Sequence, residues 1–555
     1  MDNYFKALRG LFIYREPKNQ STFELLENNY EDSAPDPNSR QNGTNKKNDT
    51  SGSAVSKYLK DNINYIKSIF CIPKNKGIII RQFNIAKETE ACLVFIDGMV
   101  DNNIINQSIL SPLMSIENLK RFKDKCPIDY IERNVISVSD VERISNLDKA
   151  VQKVLEGMSA LFIHDCHECL LIDSKGYKKR NIEKPVTESV VRGPQEGFTE
   201  DLSTNITLLR RIIKNEKLLI EFLPLGKTAK TECAMVYING IANPEVVKEV
   251  KRRISSLNID FILGDGMLEQ LIEDNHLTPF PQILSTERPD RASSFIMEGQ
   301  VVILSEGAPF ALAVPVTFFH MLHTSEDSHL RWQQGTFLRF VRVFGMSVAL
   351  FLPAVYAGLT LYHQEMIPTE LLASITKARS MVPFPIVVEI IIMEASFELI
   401  REGGIRVPGV IGQTLGIIGA LILGQAAVAA GLVSPILIII VAVTGLGSFS
   451  IPNYSLAMSI RIIRFIFIIS ATIAGFYSLS AAIIVFLGLM CNMKSFGVPF
   501  LSPIAPKTKA NSDIIIQQPL WRQQTRPDFI NSPDRKSADY NPRGWAENKT
   551  GGTKK

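Results

Sequence analysis

Six ionisable residues stand close together in the most apolar half of the chain: Glu389, Glu394, Glu398, Arg401, Glu402 and Arg406. At ~100° per residue, Glu394, Glu398, Arg401 and Glu402 fall on one stripe of a helix, and Glu389 points roughly the opposite way. A charge at the bilayer centre costs ~2.5–3.5 kcal/mol on insertion scales, so such groups normally face a partner, water or a pathway. The chemistry on offer is charge exchange. The stripe reads as a polar seam in which a Glu398–Arg401 pair at i,i+3 is broken and remade against a neighbouring helix. A solvated helix at the membrane interface would carry the same residues, and spacing alone does not separate the two.

A second cluster, His164-Asp-Cys-His-Glu-Cys169, offers zinc-type ligands. Four ligands within six residues cannot easily surround one tetrahedral ion, and the segment reads instead as a variable turn. Neither a phosphate loop nor a dinucleotide fingerprint is present, and no serine nucleophile elbow. The chain is therefore read as a non-enzyme that needs no cofactor and no metal. Net charge is +4 and the charged fraction is 21%, which gives no basis for nucleic-acid binding. Seven cysteines and no signal peptide predict free thiols in a reducing cytosol.

The elements that must position the seam are membrane helices. No charged residue occurs from Val407 to Ile460, nor from Phe465 to Met493. Stretches of ~20 apolar residues suffice to cross a bilayer. Val343–Tyr362 is long enough to span, Val407–Ile460 divides at Gly431-Leu-Val-Ser-Pro435, and Phe465–Met493 is either one tilted span or a tight pair of half-spans. A polytopic helical domain of four to six helices is expected over 323–497, in contact with membrane lipid. From Lys494 onward eleven Lys and Arg oppose five acids, which predicts a basic cytoplasmic tail over 498–555.

The first part of the chain reads as a cytosolic α/β (α+β) region built from two similar subdomains, 57–190 and 191–322, after an N-terminal segment and disordered linker over 1–56. Ala91-Cys-Leu-Val-Phe-Ile-Asp-Gly98 matches Cys233-Ala-Met-Val-Tyr-Ile-Asn-Gly240 at an offset of 142 residues. Each reads as a buried strand ending in a turn. Leu59-Lys-Asp-Asn-Ile63 pairs with Leu202-Ser-Thr-Asn-Ile206, and Glu156-Gly157 with Glu298-Gly299, at nearly the same offset. The apolar run Val301–Phe319 is interrupted by Glu306-Gly307, Pro309 and Pro315, so two strands around a turn are expected there rather than a span. At the junction, Arg192, Gly193, Pro194, Glu196, Gly197 and Phe198 form either a well-specified hinge or a partner-binding surface.

Several of these motifs carry a family resemblance. Val191-Arg-Gly-Pro-Gln-Glu-Gly-Phe-Thr-Glu200, with Asn205 and Arg210-Arg211, resembles the A subunits of GerA-type spore germination receptors. So do Thr286-Glu-Arg-Pro-Asp290, Val382-Pro-Phe-Pro385, the Glu398…Arg401-Glu402…Arg406 run and Pro499-Phe-Leu-Ser-Pro503. The resemblance spans roughly Leu59 to Phe529. It implies a multi-pass protein of the spore inner membrane; the lack of a signal peptide and the basic tail predict that the N-terminal domain and the tail are cytoplasmic. It further implies a transporter-like B subunit and a lipoprotein C subunit as partners. The implied role is to convert nutrient sensing into ion release and germination. The alternative is a homo-oligomer that itself forms a ligand-gated ion path.

Overall fold

The computed structural model describes residues 54–86, 89–115, 127–176, 184–185, 187–407, 419, 422–508 and 514–537. Of the expected 1–56 segment only 54–56 is included, and the tail beyond 537 lies outside the described residues. The described chain divides into two compact units, with boundaries after Glu273, Gln282, Pro315 and Gln523. One unit holds the two five-stranded sheets and the other holds the long apolar helices.

In the sheet unit, α1 (Leu59–Ile69) is followed by β1 (Ile78–Ile85), β2 (Thr89–Ile96) and β3 (Val141–Ile144). Then come α2 (Leu147–Leu155), β4 (Ser159–Ile163) and β5 (Cys169–Ile172). The sequence then repeats itself. It runs α3 (Leu202–Ile212), β6 (Leu218–Leu225), β7 (Thr231–Ile238), α4 (Pro244–Ser255), α5 (Gly264–Ile272), β8 (Leu284–Thr286), α6 (Pro289–Glu298), β9 (Val301–Ser305) and β10 (Ala311–Val314). The five strands of the first sheet lie in the order β1-β2-β4-β5-β3, and those of the second in the order β6-β7-β9-β10-β8. The two orders are the same once renumbered. Every strand pair is antiparallel, which makes each sheet with its helices an α+β arrangement.

The repeat extends to side-chain placement. β2 and β7 both open with Thr-Glu and bury the following six residues. Strand alternation sends Cys92, Val94 and Ile96 to one face, against α1 and α2. Ala91, Leu93 and Phe95 face the other core with Ile105, Ile109 and Ile131. Covered on both sides, the strand reads as a continuous apolar run. Both strands end on glycines in left-handed conformation, Gly98 (φ +80°) and Gly240 (φ +87°). The helices begin where side chains satisfy their first amides: Asn146 accepts from Asp148 and Lys149, Asp201 from Thr204, and Asn243 from Glu245.

His164-Asp-Cys-His-Glu-Cys169 falls on the β4–β5 turn, with Asp165 left-handed (φ +60°). No group of three or more His, Cys, Asp or Glu among the described residues is placed to hold a metal ion. Cys71, Cys92, Cys169, Cys233 and Cys491 are free thiols, whereas Cys166 is disulfide-bonded, against the expectation of free thiols throughout. Val301–Phe319 contains β9 and β10 around a turn at Glu306-Gly307. The described tail is not a detached segment. Arg526 donates to the Met297 carbonyl (3.0 Å), Asn243 to the Ile530 carbonyl (3.1 Å) and Ser532 to the Ile241 carbonyl (2.6 Å).

The helical unit contains α7 (Trp332–Leu361), α8 (Thr369–Arg379), α9 (Ile386–Arg406), α10 (Pro435–Phe449) and α11 (Tyr454–Asn492). Among the described residues two helices, α7 and α11, are long and apolar enough to cross a membrane. α11 is not straight. Its backbone leaves helical geometry at Ala474 and Gly475. The rings of Phe467 and Phe486 are 5.5 Å apart, whereas a straight helix would hold them about 28 Å apart. Ser470 and Ser478 exchange hydroxyl–carbonyl hydrogen bonds of 2.9 and 2.5 Å across the bend. α11 is thus a helical hairpin, the tight-pair alternative for Phe465–Met493.

Candidate functional site: a buried charge cluster

The acids of α9 meet two arginines on the first arm of the hairpin. Arg464 approaches Glu394 at 2.9 Å and Glu398 at 3.1 Å. Arg461 reaches the other oxygen of Glu398 at 3.0 Å, and Arg401 reaches Glu398 at 3.3 Å. Glu394 and Arg464 are wholly buried (0% exposed), and Glu398 retains 27% side-chain exposure. Three guanidinium groups thus face two carboxylates, an excess of one positive charge. Arg401 lies against the rings of Phe397 (5.0 Å) and Phe449 (4.7 Å), so π-faces cover part of what carboxylates do not. Phe397 can come this close to α10 because position 445 is glycine: a Cβ there would meet its Cζ at 2.5 Å.

The stripe expected from sequence divides into an inner and an outer part. Glu394, Glu398 and Arg401 come together. Glu402 does not join them: its partner is Arg406 (2.6 Å) at i,i+4, and both side chains are more than half exposed. One helical turn beyond Glu398 is enough to carry a side chain out of the packed layer. Glu389, on the opposite side, pairs with Arg379 (3.1 Å) and accepts from the Ser434 amide (3.2 Å), which ties α8, α9 and the start of α10 together. Arg461 and Arg464 were absent from the sequence reading. Their signal was available: they are the charges that separate the two uncharged stretches, three residues apart on one helix face.

A second ionic knot ties the first half of α7 to the segment before it. Buried Asp327 receives Arg342 at 2.8 Å and Arg339 at 3.2 Å. Burial alone would raise its carboxyl, but the Arg342 hydrogen bonds and both positive charges hold it below the usual carboxylate range.

The junction segment is an anchored linker. Fully buried Arg288 donates to the Glu188 carbonyl (3.1 Å) and the Pro194 carbonyl (2.7 Å) and pairs with Asp290 (2.9 Å). Phe198 donates its amide to the Glu287 carbonyl at 2.7 Å, and its ring is buried along with Gly197. Glu196 pairs with Arg211 at 3.4 Å. Arg192 and Pro194 are exposed, and Gly193 is partly so. Between the subdomains lies a cleft of about 70 Å³, lined by residues that include Asp97, Asn102, Ser203, Thr207 and Arg211.

The chain combines a duplicated antiparallel α+β region with a helical region that contains two helices long and apolar enough to cross a bilayer and a buried ionic cluster, the make-up of a membrane protein. The chain belongs to the GerA family: residues 64–529 match the model of the Bacillus/Clostridium GerA spore germination proteins. It is 40% identical to spore germination protein KA of Bacillus subtilis (strain 168), over 85% of this chain and 87% of that one. It is 38% identical to spore germination protein GerLA of Bacillus cereus, over 82% of this chain and 93% of that one. Against spore germination protein A1 of Bacillus subtilis (strain 168) the figures are 34%, 87% and 98%. Among solved structures, the N-terminal domain of the A subunit of the Bacillus megaterium spore germinant receptor GerK3 is 31% identical. That match covers 48% of this chain and 98% of the other, with a TM-score of 0.39. The chain is therefore a spore germination protein.

Proposed function

We propose that this chain is the A subunit of a nutrient germinant receptor of the spore inner membrane, and that it passes the nutrient signal on to ion release. The family supplies the role in germination. The buried cluster of Glu394, Glu398, Arg401, Arg461 and Arg464 supports the transducing part. Charged groups wholly withdrawn from solvent are costly, and packing alone is served as well or better by apolar residues. Arg464 is shared between Glu394 and Glu398, so a shift of the hairpin arm against α9 redistributes its ion pairs instead of abolishing them. Such an element has two arrangements of similar energy, which is what a signal needs to bias.

In this reading the chain crosses the membrane four or six times, with the sheet region and the tail cytoplasmic, and works with a transporter-like B subunit and a lipoprotein C subunit. The soluble subdomains occupy 57–190 and 191–322, the membrane domain 323–497 and the tail 498–555. The junction at Arg192–Phe198 serves as a hinge anchored by Arg288. Within it Arg192, Pro194 and Gln195 are exposed, and Gly193 and Glu196 partly so, which leaves them accessible to a partner.

The test replaces Glu394→Gln and Glu398→Gln, each keeping size and removing charge. The expected result is normal abundance and assembly with strongly reduced ion release and germination. Full function in both variants would overturn the seam, and loss of the protein itself would assign these residues to structure.

A further inference from the structure

The turn of the α11 hairpin is held by the end of α7, and the contact depends on one proton. Reversing the chain at Ala474-Gly475 leaves carbonyls at the end of the first arm and amides at the start of the second without helical partners. The two residues after α7 reach both. The Tyr362 hydroxyl lies 2.8 Å from each of the Thr472 and Ile473 carbonyls. The Nε2 of His363 accepts the Phe476 amide at 3.2 Å. The imidazole also stacks flat on the Phe476 ring, with centroids 4.7 Å apart and planes 5° from parallel. Gly475 adopts a positive φ (+60°), and a Cβ there would meet His363 Nε2 at 2.8 Å and Tyr362 Cβ at 2.9 Å. The turn and the end of α7 are therefore built against each other.

To accept from an amide, Nε2 must carry no proton, which fixes a neutral imidazole with its hydrogen on Nδ1. We propose that His363 is a protonation-dependent latch: neutral, it closes the hairpin turn onto α7, and protonated, it releases the turn. A proton on Nε2 replaces an acceptor by a second donor facing the Phe476 amide. Imidazole is the side chain whose ordinary titration falls between about pH 5 and 8. The charged and titratable groups on the surrounding elements are few. α7 carries no charge after Arg342, the following turn brings Glu365 and the start of α8 Glu370, and the hairpin from Phe465 to Asn492 contributes only Tyr477 and Cys491. None of these forms an ion pair with His363 among the described residues, so no counter-ion compensates a charged ring. The latch stands independently of the seam, although the arm it holds is the one that carries Arg461 and Arg464.

The experiment is hydrogen exchange on the full chain in lipid nanodiscs, following the peptide that spans Ser470–Ser480 near pH 5.5 and 7.5, corrected for intrinsic exchange. In the wild type the turn should exchange about fivefold faster at the lower pH, the effect of one net hydrogen bond. His363→Gln supplies a carbonyl acceptor that does not titrate, and the turn should stay protected at both pH values. His363→Phe keeps the stack without an acceptor, and the turn should exchange fast at both. Unchanged exchange in α10, in the same helical unit and the same spectra, reports that each variant is folded. A pH-independent turn in the wild type, or a wild-type pH profile in His363→Gln, overturns the latch. If a variant does not fold, the wild-type profile decides alone.

Discussion

The pair Glu394–Arg464 separates structural from functional contributions of the cluster. Both side chains are wholly buried and 2.9 Å apart. Breaking a buried pair by removing one partner costs about 3–5 kcal/mol, because the remaining charge is left uncompensated. In Glu394→Gln, Arg464 keeps Glu398 at 3.1 Å, but that carboxylate already serves Arg461 and Arg401, so the lower end, about 3 kcal/mol, is expected. Arg464→Met strands Glu394 with no cation and should cost about 3–5 kcal/mol. The double variant Glu394→Leu/Arg464→Met replaces both charges by apolar groups and should return to within about 1 kcal/mol of the wild type, a coupling of several kcal/mol. Thermal unfolding in detergent, read by circular dichroism, checks this, since about 3 kcal/mol moves the midpoint by roughly 6–12 °C for a unit of this size. The double variant should be stable yet fail to support germination. Additive costs, or single variants within about 1 kcal/mol of the wild type, would refute the reasoning about stability, and a germinating double variant would refute the role in signalling.

Gly475→Ala should weaken the hairpin turn by about 1–3 kcal/mol, because the residue combines a positive φ with no room for a Cβ; protease accessibility of the turn in intact vesicles reads it. Arg288→Lys keeps the charge but loses the guanidinium fork that bonds two linker carbonyls and Asp290. Cleavage within Glu188–Phe198 by limited proteolysis should rise while the β6–β10 sheet stays folded. For Glu269 of α5, burial first and then Glu273 and Asp265 push the carboxyl up from 4.5 to about 7. The folded chain then holds a proton that the unfolded chain has lost, so stability falls as pH rises through that window and stays reduced above it. Glu269→Gln should flatten that fall in a pH series of denaturant midpoints and leave the acid limb unchanged.

The duplicated sheet was legible because its strands are buried on both faces. Such strands tolerate few residue types, so Cys-Leu-Val-Phe-Ile and Ala-Met-Val-Tyr-Ile still align 142 residues apart and end on turns that demand glycine. The order of the strands was not legible. β3 and β8 pair with β5 and β10, strands that follow them in sequence, and nothing in a four- or three-residue strand announces its partner. Chain order also concealed the docking of the tail. Arg526 and Ser532 bond to backbone carbonyls at Met297 and Ile241, and main-chain acceptors leave no mark in composition.

The charge cluster shows the same limit from the other side. Periodicity placed Glu394, Glu398 and Arg401 on one face, because a single helix carries its own geometry. It also placed Glu402 there, where the actual layer is one turn too shallow to bury it. The complementary charges sit about sixty residues further on, in a segment whose uncharged flanks drew attention away from the two arginines between them. Yet those flanks are the reason the arginines matter. On an apolar arm, Arg461 and Arg464 have no solvent to turn to and need buried acids, while the acids of α9 need cations that Arg401 alone does not supply. Each half is unfavourable by itself and acceptable only when the hairpin lies against α9. An ionic contact of this kind makes packing conditional on register. A displacement of about one residue along the arm, roughly 1.5 Å, would break or exchange the two pairs from the arm to Glu398 and the one to Glu394. That conditionality, rather than the strength of any one pair, suits the cluster to pass a movement from one helix to the next.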